Sequence, residues 1–328
     1  MDEHAGGAGT PNTEQPPLRV GVIGLGAIGE PVARLILAAG HAVTVHNRST
    51  AAPERLAALG ATIADSPAAV AAVSDIVLLA LPHPAASEEV VLGERGVLAG
   101  AAGTDGLLLL DLSTVAPELS RRLHAACAAR GVGFLDAPVS GGPEGAAAGT
   151  LTIMCGGEAD DVARALPLLR LFGSRVEHVG PSGSGSALKL VNQLLVAIHS
   201  AAAAEAVAFA QAMGVDGGTA FGIIHDAWGS SRVLDRLAPL MLARDFSGGA
   251  TVAIVGKDSD LIADAAAGVG LSLEVSAAAR RLLQQGAAAG NGALDVASLL
   301  EQVEATRTRD VPAEAGTDTD SDMDTDAT

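Results

Sequence analysis

Hydrophobic residues in the first half of the chain alternate between short continuous runs and helical spacing. The apolar runs fall at residues 18–24, 41–46, 61–63, 75–81 and 107–112, with further short runs near residues 134–136, 150–154 and 175–178. Short apolar runs bounded by turn residues are typical of buried parallel strands. Between the first two runs, apolar residues recur with helical spacing over residues 27–39. This alternation predicts an α/β, Rossmann-like domain.

The pattern changes at the segment Gly180-Pro181-Ser182-Gly183. Beyond it the strand-like runs stop, and Ala- and Leu-rich helical patterns follow at residues 184–213, 218–228, 232–243, 251–268, 273–288 and 295–305. The first of these helices is long enough to bridge domains or subunits. We therefore predict a Rossmann-like domain over residues 18–182 and an all-helical domain over residues 183–305.

The two chain ends and the overall charge limit the classes of partner. Residues 1–17 are rich in Gly, Pro and polar side chains, and residues 306–328 form an acidic tail, so both are expected to be disordered. The net charge of −18 disfavours nucleic acid and anionic membranes as partners. The longest apolar segment, residues 190–213, contains Asn192, Gln193, His199, Glu205 and Gln211 and is not predicted to span a membrane.

The sequence predicts neither secretion nor a metal site. The acidic N-terminus does not resemble a signal or transit peptide. Two cysteines, Cys127 and Cys155, are interpreted as small core residues in a reducing compartment, so a cytoplasmic location is expected. No Cys/His cluster has the spacing of a zinc site, and no metal site is predicted.

A glycine motif follows the first predicted strand directly and opens the first predicted helix. It reads Gly24-Leu25-Gly26-Ala27-Ile28-Gly29. In this position the glycines permit a tight turn and let a pyrophosphate reach the backbone at the helix N-terminus. The strand–GxGxxG–helix–strand order predicts a dinucleotide site, with a purely structural glycine turn as the alternative.

The end of the second predicted strand bears on the choice of dinucleotide. An NAD site places an acidic residue there to bind the ribose 2′-hydroxyl, whereas this chain has Asn47 and Arg48. No carboxylate repels a 2′-phosphate, and the arginine can pair with one. NADP is therefore expected in preference to NAD, the alternative being a surface arginine beside an NAD site.

Further cleft residues are predicted at later strand ends, where doubly wound sheets bind their ligands. Leu81 and Pro82 follow one predicted strand, and Ser113 and Thr114 follow the next. The segment Ser140-Gly141-Gly142 lies between two later strands and is either an anion cradle of backbone N–H groups or an ordinary glycine-rich turn.

Lysine usage singles out two positions. The chain has 20 Lys and Arg residues, and only Lys189 and Lys257 are lysine. A retained lysine suggests a need for an amine that can lose its proton. Lys189 lies in an apolar helical run three residues before Asn192, hence on the same helix face. The alternative is a lysine that extends its amine to solvent.

Four stretches, taken together in order and spacing, resemble the β-hydroxyacid dehydrogenase family, which is related to 6-phosphogluconate dehydrogenase. They are the glycine motif, Asp136-Ala137-Pro138-Val139-Ser140-Gly141-Gly142 with Gly149-Thr150-Leu151-Thr152, then Gly185 with Lys189-Leu190-Val191-Asn192-Gln193, and finally Lys257-Asp258 with Leu261. The resemblance covers residues 18 to about 305. It implies a 6-phosphogluconate dehydrogenase type of fold, with the Rossmann-like domain followed by the all-α domain.

The resemblance also implies a role for each matching residue. Lys189 is the expected catalytic acid/base, and Asn192 is expected to fix the substrate. Ser140, Gly141 and Gly142 are expected to bind the substrate carboxylate. The expected cofactor-binding residues are the glycine motif Gly24, Leu25, Gly26, Ala27, Ile28 and Gly29 together with Asn47, Arg48, Leu81, Pro82, Thr114 and Lys257.

Two positions depart from the family pattern. Gln193 stands where the family has a second Asn, a variant similar to the tartronate semialdehyde reductase and threonate dehydrogenase branches. Ser259 stands where the family has Leu after Lys-Asp. Substrate selection is assigned to candidates near the start of a later helix, namely His225, Trp228, Ser230 and Ser231, with Trp228 equally compatible with a core position.

The expected activity is an NADP-preferring interconversion of a small 3-hydroxy acid and its semialdehyde or oxo acid. Alternatives are an L-threonate-like dehydrogenase using NAD, an imine reductase, and a non-catalytic nucleotide-binding protein. An unperturbed lysine is a poor base near neutral pH, but burial and a second cation lower its pKa. A homodimer or homotetramer is expected from the resemblance and from the long helix.

Overall fold

The computed structural model describes residues 17–306. Disorder was predicted for residues 1–17 and 306–328, and all of these except residues 17 and 306 lie outside the described residues. In chain order the elements of the first part are β1 (Arg19–Ile23), α1 (Gly29–Ala38), β2 (Ala42–His46), α2 (Ala51–Ala57), β3 (Thr62–Ile63), α3 (Pro67–Ala71), β4 (Ile76–Leu79), α4 (Pro84–Leu92), α5 (Val97–Gly100), β5 (Leu108–Asp111), α6 (Pro117–Ala128), β6 (Gly133–Asp136), β7 (Val139–Ser140), α7 (Gly142–Ala148), β8 (Leu151–Gly156), α8 (Ala159–Leu169) and β9 (Gly173–Gly180).

These strands form one sheet with the α/β topology expected. Six strands run parallel in the order β3-β2-β1-β4-β5-β6. Strand β8 lies antiparallel to β6 and β7 and parallel to β9. The strand order reverses between β1 and β4, so a crevice opens beyond their carboxyl ends, where such sheets bind ligands.

The sheet has an apolar core on each face because side chains alternate along its strands. Leu108 and Leu110 of β5 belong to one core, and Leu109 belongs to the other. All four residues of β5 are buried, and three of them are leucines, which explains the apolar character of this segment. Cys127 and Cys155 are free and buried, as expected of small core residues.

The second part is helical. Its elements are α9 (Ser184–Ala212), α10 (Gly217–Ile224), α11 (Arg232–Ala243), α12 (Val252–Gly268), α13 (Glu274–Ala288), two 3₁₀ turns (Asn291–Ala293 and Val296–Ser298) and α14 (Leu299–Glu304). Helix α9 is central: it packs against α11, α12, α13 and α14 and also against β8, β9 and α6 of the first part. At 1.5 Å per residue it is about 43 Å long.

Helix α9 is the one described helix that is long and apolar enough to cross a membrane by length and composition. A core helix of a folded domain meets the same test. Its buried positions include polar side chains such as Ser186, Lys189, Gln193 and Ser200, which face neighbouring elements of this fold.

The differences between the structure and the sequence-based expectation include the segment after Ser140 and the last predicted helix. The segment after Ser140 was expected to be a loop between two strands, but it begins α7. Gly141 and Gly142 adopt φ values of +136° and +65°, which only glycine adopts readily, and Pro143 then occupies the first turn of the helix. The last helix was predicted over residues 295–305, but a 3₁₀ turn precedes it and α14 begins only at Leu299.

Candidate active site

The glycine loop joins β1 to α1, and its three glycines have different environments. Gly24 has a φ of +89°, and a Cβ there would lie 2.4 Å from the Ala80 carbonyl oxygen. A Cβ on Gly29 would lie 1.9 Å from the Gly24 carbonyl oxygen, so the loop itself requires glycine at both positions. A Cβ on Gly26 would meet no atom within 4 Å. The space beside Gly26 fits a pyrophosphate that approaches the backbone.

The end of β2 is tied to the glycine loop by an asparagine. Asn47 Oδ1 accepts a hydrogen bond from the Leu25 N–H at 3.1 Å, and Asn47 Nδ2 donates to Ser49 Oγ at 2.8 Å. Arg48 is exposed, and within residues 17–306 it has no hydrogen-bond or ion-pair partner. The asparagine therefore shapes the loop, and the arginine is available to a ligand.

A cleft of about 540 Å³ lies beyond the carboxyl ends of β2 and β3. Its walls include Asn47, Arg48, Arg95, Glu54 and Asp65. Arg95 lies 3.4 Å from the Asp65 carboxylate, so this pair is neutral overall. The cleft is the position that a doubly wound sheet gives to the adenosine half of a dinucleotide.

The segment after β4 contacts the segment after β5. The Leu81 N–H donates to Ser113 Oγ at 2.9 Å, and the Ser113 N–H donates to Asp111 Oδ1 at 2.9 Å. Leu81 is partly buried, whereas Pro82 is exposed. Burial raises the pKa of Asp111 to about 6, and its second carboxylate oxygen has no hydrogen-bond partner within the described chain.

Two residues predicted at the cofactor's reactive end meet across the two parts of the molecule. Lys257 Nζ of α12 donates to the Thr114 carbonyl oxygen at 3.1 Å. Thr114 follows β5 in the Rossmann-like part, so this hydrogen bond joins the helical part to the crevice. The structure thus brings together two residues that are 143 positions apart in the sequence.

The predicted substrate-binding segment lies at the end of β7 and the start of α7. Ser140 pairs with Thr152 of β8, and Gly141 and Gly142 make the turn into the helix. The first N–H groups of a helix have no intrahelical acceptor. The segment is therefore compatible with the predicted carboxylate cradle, although a loop had been expected there. Arg236 of α11 lies 3.7 Å from Glu144 of α7 and links this segment to the helical part.

Lys189 lies at the centre of a buried polar network. Its Nζ donates to Gln193 Oε1 at 2.7 Å, and Asn192 Nδ2 donates to the same oxygen at 2.9 Å. Gln193 Nε2 donates to Asp258 Oδ2, and Lys257 Nζ lies 2.9 Å from Asp258 Oδ1. That last contact is an ion pair without hydrogen-bond geometry, which leaves Oδ1 without a hydrogen-bond donor in the described chain.

The surroundings of Lys189 lower its pKa. The residue is only 6% exposed, and burial is the main reason that its pKa falls from 10.5 to about 8. The Asp258 carboxylate opposes this shift, and the Lys257 ammonium adds to it. A lysine with a pKa of about 8 populates both its ammonium and its amine form near neutral pH.

A carboxylate from the Rossmann-like part caps the helix that carries Lys189. Asp136, at the end of β6, accepts hydrogen bonds from the Gly183 N–H at 2.7 Å and the Ser186 N–H at 2.8 Å. Gly185 is in close contact with the same strand ends, since a Cβ there would lie 2.5 Å from the Asp136 carbonyl oxygen. The role of Asp136 was not predicted, because the cap and the helix are about 50 residues apart.

The residues named as candidates for substrate selection lie before and at the start of α11. His225 Nδ1 lies 3.1 Å from Asp235 Oδ1, and the Ser230 hydroxyl lies 3.5 Å from the same oxygen. Ser231 caps α11. Trp228 is fully exposed, so a core position is wrong. None of the four hydrogen-bonds to Lys189 within residues 17–306.

Comparison with known families assigns both parts of the chain. Residues 19–180 match the NAD-binding domain of 6-phosphogluconate dehydrogenase. Residues 183–303 match the family described as NAD-binding of NADP-dependent 3-hydroxyisobutyrate dehydrogenase. The chain therefore binds a nicotinamide dinucleotide.

Individual relatives agree. The chain is 36% identical to the NAD-dependent L-serine dehydrogenase of Pseudomonas aeruginosa, over 82% of this chain and 93% of the relative. It is 34% identical to the 2-hydroxy-3-oxopropionate reductase of Escherichia coli, over 88% and 97%. A solved 3-hydroxyisobutyrate dehydrogenase of Mycobacterium tuberculosis with L-serine is 29% identical, with a TM-score of 0.79 over 88% of this chain and 99% of that one. The fold, the glycine loop and these relatives together show that the chain belongs to the β-hydroxyacid dehydrogenase family.

Proposed function

We propose that this protein interconverts a small 3-hydroxy acid and the corresponding semialdehyde or oxo acid, with Lys189 as the general acid/base. The observation that carries the proposal is a buried amine with a pKa of about 8, on the same helix face as Asn192. The substrates named for the relatives, such as 2-hydroxy-3-oxopropionate, which is tartronate semialdehyde, support this substrate class. When bound, the nicotinamide ring supplies the group that accepts or gives the hydride.

The protein itself transfers a proton to or from the substrate oxygen. In the oxidising direction the Lys189 amine takes the proton of the substrate hydroxyl, and in the reducing direction its ammonium form returns it. With a pKa of about 8, neither form is scarce at neutral pH. Asn192 donates an amide N–H and holds the substrate oxygen without competing for that proton.

The substrate carboxylate is assigned to the segment at the start of α7. Ser140 supplies a hydroxyl, and Gly141 and Gly142, which have no side chains of their own, supply backbone N–H groups. The positive φ values of the two glycines support this role because they place successive N–H groups in a turn. A substrate that lacks the carboxylate should therefore bind weakly.

The cofactor is held by the glycine loop, and we propose that it is NADP in preference to NAD. The support is that the end of β2 has Asn47 in place of an acidic residue, while Arg48 is exposed and has no ionic partner within the described residues. Arg48→Ala should weaken NADPH binding by about tenfold or more, the worth of a charge-assisted hydrogen bond, and leave NADH binding unchanged. Equal losses for the two cofactors, measured by fluorescence titration, would argue against the preference.

The activity is tested by absorbance at the nicotinamide band. Oxidation of glycerate, 3-hydroxyisobutyrate, L-threonate and L-serine, and reduction of tartronate semialdehyde, are each measured with both cofactors. Turnover of at least one carboxylate substrate, with loss of rate when the carboxylate is replaced by an amide, supports the proposal. Absence of turnover over the whole panel, with cofactor binding demonstrated, would overturn it.

We also propose that the protein is a homodimer or homotetramer located in the cytoplasm. Leu188, Val191 and Leu195 are exposed and share one face of α9, away from the buried Lys189. An apolar stripe of this kind supports a homodimer or homotetramer, which light scattering tests, with Val191→Glu expected to shift the mass towards the monomer. The net charge of −18 supports a protein that binds neither nucleic acid nor membrane. The two free, buried cysteines, Cys127 and Cys155, support a location in the cytoplasm.

A further inference from the structure

We propose that Gln193 is a positioning residue, whose side-chain amide stands between the Lys189 amine and the Asp258 carboxylate and keeps them from forming an ion pair. The inference rests on the acid/base role proposed for Lys189 and adds how its amine is kept able to exchange a proton. It concerns a glutamine one helical turn after the lysine, so the two side chains lie on the same face of α9.

Three contacts fix the amide of Gln193. Its Oε1 accepts from Lys189 Nζ at 2.7 Å and from Asn192 Nδ2 at 2.9 Å, and its Nε2 donates to Asp258 Oδ2. The opposite orientation of the amide would place its NH₂ group against two donors and its oxygen against a carboxylate. The side chain is 8% exposed, so water does not replace these partners. Its orientation is therefore set by the charges on either side.

The Asp258 carboxylate is shared between two groups, and Lys189 is not one of them. One oxygen accepts from Gln193 Nε2, and the other lies 2.9 Å from Lys257 Nζ. Asp258 is 2% exposed, so its charge needs a counterion. Lys257 provides that counterion, while Lys189 has a neutral oxygen as its acceptor.

A neutral acceptor suits a group that changes its protonation state. Both the ammonium and the amine form of Lys189 have an N–H to donate to Gln193 Oε1, whereas a carboxylate in direct contact favours the ammonium form. The charged groups that act on Lys189 are Asp258 and Lys257, both from α12. Asp136, which ends β6 and caps the start of α9, accepts hydrogen bonds from backbone N–H groups. When the amide of Gln193 is removed, no side-chain amide separates the Lys189 amine from the Asp258 carboxylate, so we expect the two to pair.

The role of Gln193 can be tested by following the titration of Lys189 directly, because the chain has only two lysines. Because Lys189 and Lys257 are the only lysines in the chain, protein labelled with ¹³C at lysine Cε gives two side-chain signals, which Lys257→Arg assigns. The titration of the Lys189 signal is measured in the wild type and in Gln193→Met, which keeps the length of the side chain and removes its amide. The control is Gln211→Met, on the exposed last turn of the same helix.

We expect Gln193→Met to raise the titration midpoint of Lys189 by about one pH unit or more, since the amine then pairs with Asp258. Adding Asp258→Asn should abolish that rise, and Gln211→Met should cause none. A midpoint in Gln193→Met equal to that of the wild type would overturn the proposal, as would a rise that persists without Asp258. If Gln193→Met does not fold, Gln193→Asn replaces it, because an amide one methylene shorter reaches only one of its two partners.

Kinetics separate this proposal from the proposed function. In an active enzyme, the pH at which kcat/KM for oxidation reaches its plateau should rise in Gln193→Met by the same amount as the Lys189 midpoint. A merely structural role would lower kcat without moving that pH, and this result would also contradict the proposal. If no substrate is turned over, the acid/base function fails, but the lysine titration still decides the role of Gln193.

Discussion

Replacing Lys189 by methionine should stabilise the protein at pH 7 while abolishing its activity. Burial lowers the pKa of this lysine from 10.5 to about 8, so the folded state disfavours the charged form. At 1.36 kcal/mol per pKa unit, that penalty is about 3 kcal/mol at pH 7. Methionine has a similar volume and no charge, and Gln193 Oε1 keeps Asn192 as a donor. Losing the hydrogen bond from the lysine costs about 1 kcal/mol, so a net gain of about 2 kcal/mol is expected.

The gain should depend on pH in a defined direction. The penalty in the wild type is complete below pH 8 and disappears as the lysine loses its proton in the unfolded chain as well, above about pH 10.5. The stability difference between Lys189→Met and the wild type, measured by urea unfolding, should therefore shrink between pH 8 and pH 10. The matched control is Lys257→Met, which leaves the buried Asp258 carboxylate without its counterion and should destabilise by about 3 kcal/mol.

The reasoning about Lys189 would be refuted by a Lys189→Met variant that is no more stable than the wild type at pH 7. It would also be refuted by a gain that is the same at pH 7 and pH 10. Either result would mean that the folded protein does not disfavour the charged lysine, and the physical basis for an acid/base role near neutral pH would be lost.

Three further predictions concern the scaffold of the site. Gly26→Ala should be as stable as the wild type but should bind the cofactor more weakly, because open space surrounds that position. Gly29→Ala should unfold at a lower urea concentration, because its Cβ would meet backbone, and equal stability of the two variants would contradict this. Asp136→Ala should cost about 2 to 4 kcal/mol in urea unfolding, since it leaves two helix N–H groups without acceptors, and a cost below about 0.5 kcal/mol would refute the cap. Asp111→Asn should be more stable than the wild type at pH 8 by about 3 kcal/mol. The reason is that the pKa of Asp111 is raised to about 6, so the wild type loses stability as the pH rises through 6. A gain in stability that does not shrink towards pH 4 would contradict this.

Local sequence patterns are sufficient to predict strands that are buried on both faces and loops that carry a short, recognisable motif. Strand β5 begins with three buried leucines, and the glycine loop combines a strand, three glycines and a helix start, so both are evident in the sequence. Helix α9 was predicted over residues 184–213 and spans Ser184–Ala212, because an uninterrupted apolar pattern ends at Gly214. Helix α7 was missed, since two glycines and a proline suggest a turn unless their φ values are known.

Contacts between distant residues could not be predicted in the same way. Asp136 caps α9 from 47 residues away, and Gln193 contacts Asp258 from 65 residues away. Nothing local marks a carboxylate as a helix cap when three strands lie between it and its helix in the sequence. Gln193 was noted only as a departure from a family pattern, and its position between a lysine and a carboxylate became evident only from the packing of α12 against α9.

The central claim, that Lys189 transfers the proton in a nicotinamide-dependent reaction, is tested most directly by the single-turnover rate of Lys189→Arg with saturating cofactor and substrate. Arginine keeps the positive charge but does not give up its proton. We predict cofactor binding similar to that of the wild type and a rate at least about 100-fold slower, the usual contribution of a general acid/base. A Lys189→Arg variant that turns over at the wild-type rate would contradict the account.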